Sequence, residues 1–178
     1  MTQRGLFSIA EISQVASALE VAEEAVSDHF HIPDTAWLRY PYELRTLAEL
    51  SPAEIDGRAL AQVLRLRKPP RPGRLRAQDF FRICLQDHNL LGLIQREGVK
   101  DLMLPLLTYV LAHELVHVVR FYRFQHLFEA EPHERAQEEA TVHGITGQAL
   151  RKVRLPQLDR VLNFYEKHGE DSFATALC

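Results

Sequence analysis

The segment VLAHELVHVV, residues 110–119, places three ionisable side chains inside an otherwise uncharged, apolar stretch. Because residues four apart lie on one face of a helix, the imidazoles of His113 and His117 can bind the same metal ion. Glu114 lies about 100° around the helix from His113, a position that suits a base acting on water better than a ligand. Burying such groups unpaired would be costly. The pattern therefore predicts a metal site in which Glu114 transfers a proton.

This arrangement is the H-E-x-x-H motif, in which two histidines ligate zinc and the glutamate transfers a proton. The positions that flank it between Val110 and Val119 are uncharged and apolar. The segment resembles the extended signature of the zincin zinc metallopeptidases. The resemblance implies a small zincin-like α+β domain, mostly helical, with a short β-sheet beside the long motif helix. It also implies Zn2+ as the cofactor and a peptide or protein as the substrate.

The third ligand distinguishes the branches of that family. A catalytic zinc takes three protein ligands and leaves one position open for water. The metzincin branch has a glycine and a histidine where this chain has Arg120 and Arg123, so the sequence departs from that branch. The gluzincin branch takes a glutamate from a following helix, and EEATVH, residues 138–143, resembles that pattern. The gluzincin resemblance implies Glu139 as the third metal ligand.

Helical geometry also favours Glu139 over Glu138. Glu139 shares a face of small residues that could approach the motif helix closely, namely Ala136, Ala140, His143 and Gly147. Glu138 lies on a different stripe, with Val142, Ile145 and Ala149. Glu138, Glu134 and His143 stay open as alternative ligands.

His143 stands where the gluzincin pattern has an aspartate that hydrogen-bonds a ligand histidine. It could support a ligand in the same way, or it could become a fourth ligand. Four ligands would close the site, and the protein would then be a non-catalytic zinc-binding protein with a regulatory or interaction role. Two further alternatives are core histidines satisfied by Glu114 or by backbone groups, and a di-iron helix bundle. ELVH has the spacing of a di-iron site, but EATVH does not supply the second E-x-x-H that such a site needs.

For an open site, the resemblance implies hydrolysis of peptide bonds. Zinc would lower the pKa of water and polarise the carbonyl, while Glu114 would accept the water proton and pass it to the leaving amine. The family uses a tyrosine or a histidine to stabilise the oxyanion, for which Tyr122, Tyr165 and His168 are candidates. In zincins an edge strand beside the motif helix pairs with the substrate, and residues 79–87 are the expected strand.

Composition bounds the class of protein. With 178 residues, 46% of them hydrophobic, the chain is long enough for one domain with a core. Two cysteines provide no disulfide framework, which favours a cytoplasmic location. A net charge of −3 gives no reason to expect a nucleic acid or a membrane surface as partner. The apolar run 102–119 approaches the length of a membrane span, but the three ionisable groups within it argue against one.

The first half of the chain predicts helices followed by strands. A capping box of Ser8 and Glu11 begins an amphipathic helix over residues 8–30. Its expected buried stripe is Ile9, Ile12, Val15, Ala16, Leu19 and Ala22. An irregular aromatic connection follows, and a second capping box at 51–54 begins a short helix that Gly57 ends. Strands are expected at 59–68 and 79–87, and the basic, proline-rich stretch 65–76 between them is interpreted as a solvated loop.

The second half predicts three helices. Asp101 caps a long helix that carries the motif and runs to about Leu127. Pro132 begins the helix with the candidate third ligands, and a last helix covers about 156–168. Residues 87–89, DHN, are interpreted as a turn. The order of elements predicts an α+β fold of one domain, with 1–50 as an N-terminal helical segment and 51–178 as the metal-binding core.

Overall fold

The computed structural model describes residues 5–68, 78–98, 100–124 and 131–168. Within these ranges the fold is α+β, as predicted, and consists mostly of helices beside a three-stranded sheet. The helices are α1 (Ile9–Phe30), α2 (Asp87–Glu97), α3 (Met103–Tyr122), α4 (Pro132–Leu150) and α5 (Leu158–His168). The strands are β1 (Tyr42–Arg45), β2 (Ala61–Lys68) and β3 (Gln78–Leu85).

Helix α1 begins at the predicted capping box. The Ser8 hydroxyl accepts a hydrogen bond from the Glu11 amide at 3.3 Å, and the Glu11 carboxylate accepts one from the Ser8 amide at 2.6 Å. The predicted buried stripe is wrong in the first turns, because Ile9 and Ile12 are 92% and 42% exposed. Ala16 is exposed as well. Only the part of α1 from Val15 onward joins the core, through Val15, Ala18, Ala22, Ala25 and Val26.

The sheet has the strand order β1-β3-β2, with β1 parallel and β2 antiparallel to β3. Ile83 of β3 lies between Leu44 of β1 and Val63 of β2. The strand predicted at 79–87 is observed as Gln78–Leu85 and is the central strand, so the prediction that it is an edge strand is wrong. The error arose because Tyr42–Arg45 was expected to be irregular, whereas it makes a non-local parallel pairing with β3. Among the described residues, β2 is an edge strand.

Two local predictions fail around α2. Residues 87–89 begin this helix and do not form a turn, while the helix expected after residue 51 is only a 3-10 turn, Pro52–Glu54. Polar side chains that locally favour a turn are used here to bind distant backbone groups. Asp87 accepts hydrogen bonds from the amides of Phe7 at 3.1 Å and Leu47 at 3.0 Å. Gly98, with a φ of 65°, ends α2 in the left-handed conformation that glycine favours.

Helix α3 runs through the middle of the hydrophobic core. It begins at Met103, after a 3-10 turn, so Asp101 is not its cap. It ends at Tyr122, short of the predicted Leu127, and Phe124 follows in the left-handed region with a φ of 54°. By length and composition α3 could cross a membrane, but 83% of its most apolar 18-residue window is buried inside the protein.

Helices α1, α4 and α5 pack against α3. Pro132 is in the first turn of α4, as predicted, and Glu131 with Glu134 forms its capping box. Helix α4 is buried along Glu138, Val142, Thr146, Ala149 and Leu150. Helix α5 begins close to the predicted residue 156 and contributes Leu158, Val161, Leu162 and Tyr165 to the core. The motif helix is therefore held on several sides.

Candidate metal centre

Three ligand-type atoms from α3 and α4 meet at one point. Nε2 of His113 lies 3.2 Å from Nε2 of His117. Oε2 of Glu139 lies 3.2 Å from the first nitrogen and 3.1 Å from the second. The two histidines share a face of α3, and the packing of α4 on α3 brings the carboxylate to them. The structure thus brings together the three residues that the sequence predicts as ligands. We call this candidate metal site, His113, His117 and Glu139, the metal centre.

This triangle has the dimensions of one face of a zinc tetrahedron. With Zn–N bonds of about 2.0–2.1 Å, ligand atoms in a tetrahedral site lie about 3.3–3.4 Å apart. Hydrogen bonding explains the same triangle less well, because protons on the two nitrogens can satisfy at most two of its three contacts. Two imidazoles and a carboxylate form a donor set that zinc accepts, although other divalent transition metals use it too.

His143 lies next to the metal centre. A ligand-type atom of His143 is within 4.8 Å of those of His113 and Glu139. The ring centroids of His143 and His113 are 4.4 Å apart. The hydroxyl of Tyr109 lies 2.6 Å from Nδ1 of His143, so Nε2 is the nitrogen left to face a metal. Tyr109 was missed in the sequence, although it precedes His113 by four residues and so lies on the ligand face of α3.

The pKa values of the two motif histidines shift in opposite directions. Burial lowers the pKa of His113 to about 4, and the nearby His117 and His143 add to this effect, whereas the hydrogen bond that His113 donates to Glu139 opposes it. Burial also acts to lower the pKa of His117, but its hydrogen bond to Glu139 and the charge of Glu114 outweigh it and raise the pKa. In the metal-free protein His113 is therefore neutral, and a proton on His117 would have to leave when a metal binds.

On the Nδ1 side, packing and not hydrogen bonding orients the motif imidazoles. The Nδ1 atoms of His113 and His117 are buried and have no hydrogen-bond partner among the described residues. The ring of His117 stacks on Phe121 at 5.7 Å, and that of His113 stacks on Tyr109 at 6.4 Å. Metal-binding histidines usually donate their second nitrogen to a carboxylate or carbonyl, so the centre lacks this common support within the described ranges.

Glu138 has a different partner. Its carboxylate accepts hydrogen bonds from Nε and Nη2 of Arg120 at 2.6 Å and 2.8 Å. This pairing with Arg120 argues against Glu138 as the third ligand. Arg123 lies over the rings of Phe30 and Tyr40 at the end of α3. The two arginines that depart from the metzincin pattern therefore fasten α3 to α4 and to the N-terminal region. Glu134, another alternative ligand, caps α4 instead.

A cavity of about 340 Å³ opens beside the metal centre, and we call it the cleft. Glu114 and His113 line it from α3, His143 from α4 and Tyr165 from α5. The other side is the chain that leads into β2, with Asp56, Arg58, Ala59, Leu60 and Ala61. Glu114 is 8% exposed and faces this space, whereas it takes no part in the triangle of ligand atoms. A substrate in the cleft would meet Glu114 and the metal centre together.

The three candidates for oxyanion stabilisation have different positions. Tyr165 lines the cleft, and its ring stacks on Tyr109 with centroids 3.8 Å apart. The Tyr122 hydroxyl donates to the backbone oxygen of Pro41 at 2.7 Å, so it anchors the chain before β1 and does not line the cleft. The side chain of His168 lies outside the described residues.

The basic stretch 65–76 is described only in part. Arg65 and Arg67 both pair with Asp79 on the neighbouring strand, and residues 69–77 lie outside the described ranges. His126 lies outside them as well. In the aromatic connection after α1, Trp37 donates a hydrogen bond to Ser27 and Tyr42 donates one to Glu23.

Comparison with known proteins gives no match: no protein-family model, no curated protein and no solved structure matches this chain. The metal centre and the cleft are therefore interpreted from their own residues, and the zincin resemblance stays a prediction.

Proposed function

We propose that this protein is a zinc-dependent hydrolase of peptide bonds, with His113, His117 and Glu139 as the metal ligands. The observation that carries the proposal is the triangle of ligand atoms with sides of 3.1–3.2 Å, placed directly beside a cleft that Glu114 lines. A three-ligand site next to a cavity is the arrangement that catalytic zinc requires.

Zinc in this position would supply Lewis-acid chemistry, lowering the pKa of water and polarising the substrate carbonyl. Glu114 accepts the water proton and delivers it to the leaving amine, a role that suits a carboxylate on the cleft side of the ligand helix. Tyr165 is the oxyanion candidate that lines the cleft. The chain entering β2 forms the opposite wall, and the edge position of β2 among the described residues makes it the candidate for pairing with an extended peptide.

Hydrolysis of short peptides by protein of known zinc content tests this proposal. We expect Glu114→Gln to retain zinc and to lose about 10²–10⁴-fold in rate, because it removes a general base and not a ligand. Glu24→Gln is the matched control, since Glu24 is exposed on α1 and does not line the cleft. Cleavage that survives in Glu114→Gln would contradict the assigned role, and absence of cleavage by zinc-loaded wild type would contradict the proposed activity.

A closed site is the second candidate function, and His143 is the observation that favours it. If His143 joined the other three ligands, the metal would have no position for water and the protein would bind zinc without catalysis. His143→Ala separates the two possibilities. For an open site the variant keeps its zinc and the wild type binds a hydroxamate at the metal, whereas for a closed site the variant loses zinc and the wild type binds no hydroxamate.

A cytoplasmic location and a peptide or protein partner are parts of the same proposal. The cytoplasmic location is proposed from the low cysteine content, and the peptide or protein partner from the chemistry expected at the cleft.

A further inference from the structure

We propose that Arg58 binds a carboxylate of the substrate, so that the cleft selects short peptides with a negative charge close to the scissile bond. Among the described residues that line the cleft, Arg58 is the only lysine or arginine. This inference rests on the proposed hydrolase function, because it assigns the substrate class of the same cleft.

Five hydrogen bonds with side chains hold the main chain that carries Arg58. Oδ1 of Asp56 accepts from the amides of Arg58 at 2.7 Å and Ala59 at 2.8 Å. The Asn89 amide donates to the carbonyl oxygens of Asp56 at 3.1 Å and Ala59 at 2.6 Å. Gln86, which is fully buried, accepts from the Asp56 amide at 3.1 Å. The turn 56–59 is therefore held in one conformation against the cleft.

The guanidinium of Arg58 is available for a ligand. Among the described residues it makes no ion pair, whereas Arg82 and Arg120 are each paired with carboxylates. Asp56, its nearest carboxylate in sequence, is engaged by backbone amides, which hold its pKa below the usual range, and the charge of Arg58 contributes less to this lowering. An exposed side chain on a fixed turn can thus reach into the cleft without first breaking a salt bridge.

The negative charges that line the cleft explain why a substrate carboxylate would need Arg58 as its partner. Asp56 and Glu114 both line the cleft, so an anionic substrate would meet repulsion unless a cation held its charge at a defined place. Guanidinium binds carboxylate through two parallel hydrogen bonds, which also fixes orientation. The carboxylate could be the C-terminal group of the peptide or the side chain of an aspartate or glutamate. A cavity of about 340 Å³ holds only a few residues, so either group would lie near the metal centre.

Binding to the inactive Glu114→Gln protein, with its zinc content measured, tests the inference without turnover. The probes are fluorescent tripeptides in matched pairs: free acid against C-terminal amide, and, with the terminus amidated, Asp against Asn and Glu against Gln at each position. We expect the charged member of one set to bind about tenfold to hundredfold more tightly, and that set identifies the source of the carboxylate. Adding Arg58→Gln should abolish the preference, Arg58→Lys should retain part of it, and Arg154→Gln, an exposed control, should leave it intact.

Equal affinity for the members of every pair, or binding of none of them, would overturn the inference. A preference that survives in Arg58→Gln would overturn it too, because the carboxylate would then be held by another group such as the metal. Hydrolysis by the wild type is measured separately. If the wild type cleaves charged and neutral peptides equally well, the proposed hydrolase stands and this inference fails. If Arg58-dependent binding occurs without cleavage, the hydrolase fails and the carboxylate site stands.

Discussion

Two buried polar clusters in this protein are satisfied in different ways. The amide cluster of Gln86, Asp87 and Asn89 sits at the start of α2, and its side chains bond to backbone groups of residues 7, 47, 54, 56 and 59. In the metal centre, the side chains of His113, His117 and Glu139 contact one another instead, and the two Nδ1 atoms are buried without partners among the described residues.

From this difference we infer that the amide cluster is structural and propose that the metal centre is functional. Buried polar groups normally have partners, and those of the amide cluster do. Two imidazole nitrogens and a carboxylate oxygen converging on one point gain little from folding alone, since burial penalises the charge that their mutual contacts would need. A metal ion would satisfy all three atoms at once. The amide cluster should therefore control stability under all conditions, and the metal centre only when zinc is present.

The largest effect should come from zinc itself. Because folded protein presents the assembled ligands and unfolded chain does not, free zinc at 1,000 times its Kd should stabilise the fold by about 4 kcal/mol. Thermal denaturation with zinc and with a chelator measures the shift in Tm. We expect Glu139→Gln to lose most of this shift and Glu24→Gln to retain it. A Tm that does not respond to zinc would contradict the proposal that His113, His117 and Glu139 bind zinc in the folded protein.

The second-largest effect on stability should come from a substitution in the amide cluster. Asn89→Ala leaves the carbonyl oxygens of Asp56 and Ala59 without their donor, which should cost about 2–3 kcal/mol of unfolding free energy. Urea denaturation would show this loss to the same extent with and without zinc. Asn163→Ala, at an exposed position of α5, is the matched control and should change stability little. An Asn89→Ala protein as stable as the control would show that these two hydrogen bonds make no net contribution to the free energy of unfolding.

A smaller effect is expected from His113→Leu in zinc-free protein. This change replaces a buried, incompletely bonded imidazole by an apolar side chain, so stability should change by less than about 1 kcal/mol or increase. The same variant should lose the stabilisation by zinc. Urea midpoints of the chelated proteins test the first part. A large loss of stability without zinc would mean that His113 is a structural core residue, as the alternative interpretation of the motif holds.

The smallest effect concerns pH and Glu54, whose backbone carbonyl accepts from Gln86 of the amide cluster. Hydrogen bonds from Ser51, assisted by Arg82, lower the pKa of the Glu54 carboxyl from 4.5 to about 2. Because the folded pKa is the lower one, the stabilisation is present above pH 4.5 and is lost as the pH falls toward 2. Glu54→Gln should flatten the dependence of the urea midpoint on pH between these values. An unchanged pH dependence would exclude this carboxylate as a cause.

Local patterns predicted more of the site than of the sheet. The i, i+4 spacing in a continuous helix was enough to place His113 and His117 together, and Tyr109 could have been found by the same spacing. Glu139 does meet them, but the small-residue face proposed as the reason is wrong, because Ala136 and Ala140 are exposed and α4 packs through the stripe of Val142 and Ala149. Glu139 reaches the histidines from the border of that stripe.

The sheet and α2 depended on contacts that no local pattern contains. The parallel pairing of β1 with β3 joins distant segments, and without β1 the central strand looked like an edge. Asp87 and Asn89 favour turns by their local chemistry, yet they begin a helix here because their side chains bind backbone elsewhere in the fold. The turn that carries Arg58 is held by the side-chain amides of Gln86 and Asn89. Because these contacts are also non-local, the wall of the cleft that this turn forms could not be predicted either.

The most direct test is the metal content of protein purified without added metal, determined by elemental mass spectrometry. We predict about one zinc per chain in the wild type and in Glu24→Gln, and almost none in His117→Ala. Two irons per chain would indicate a di-iron site instead. A wild-type protein that contains no metal, and takes up none in a zinc titration, would contradict the account and return these histidines to the hydrophobic core.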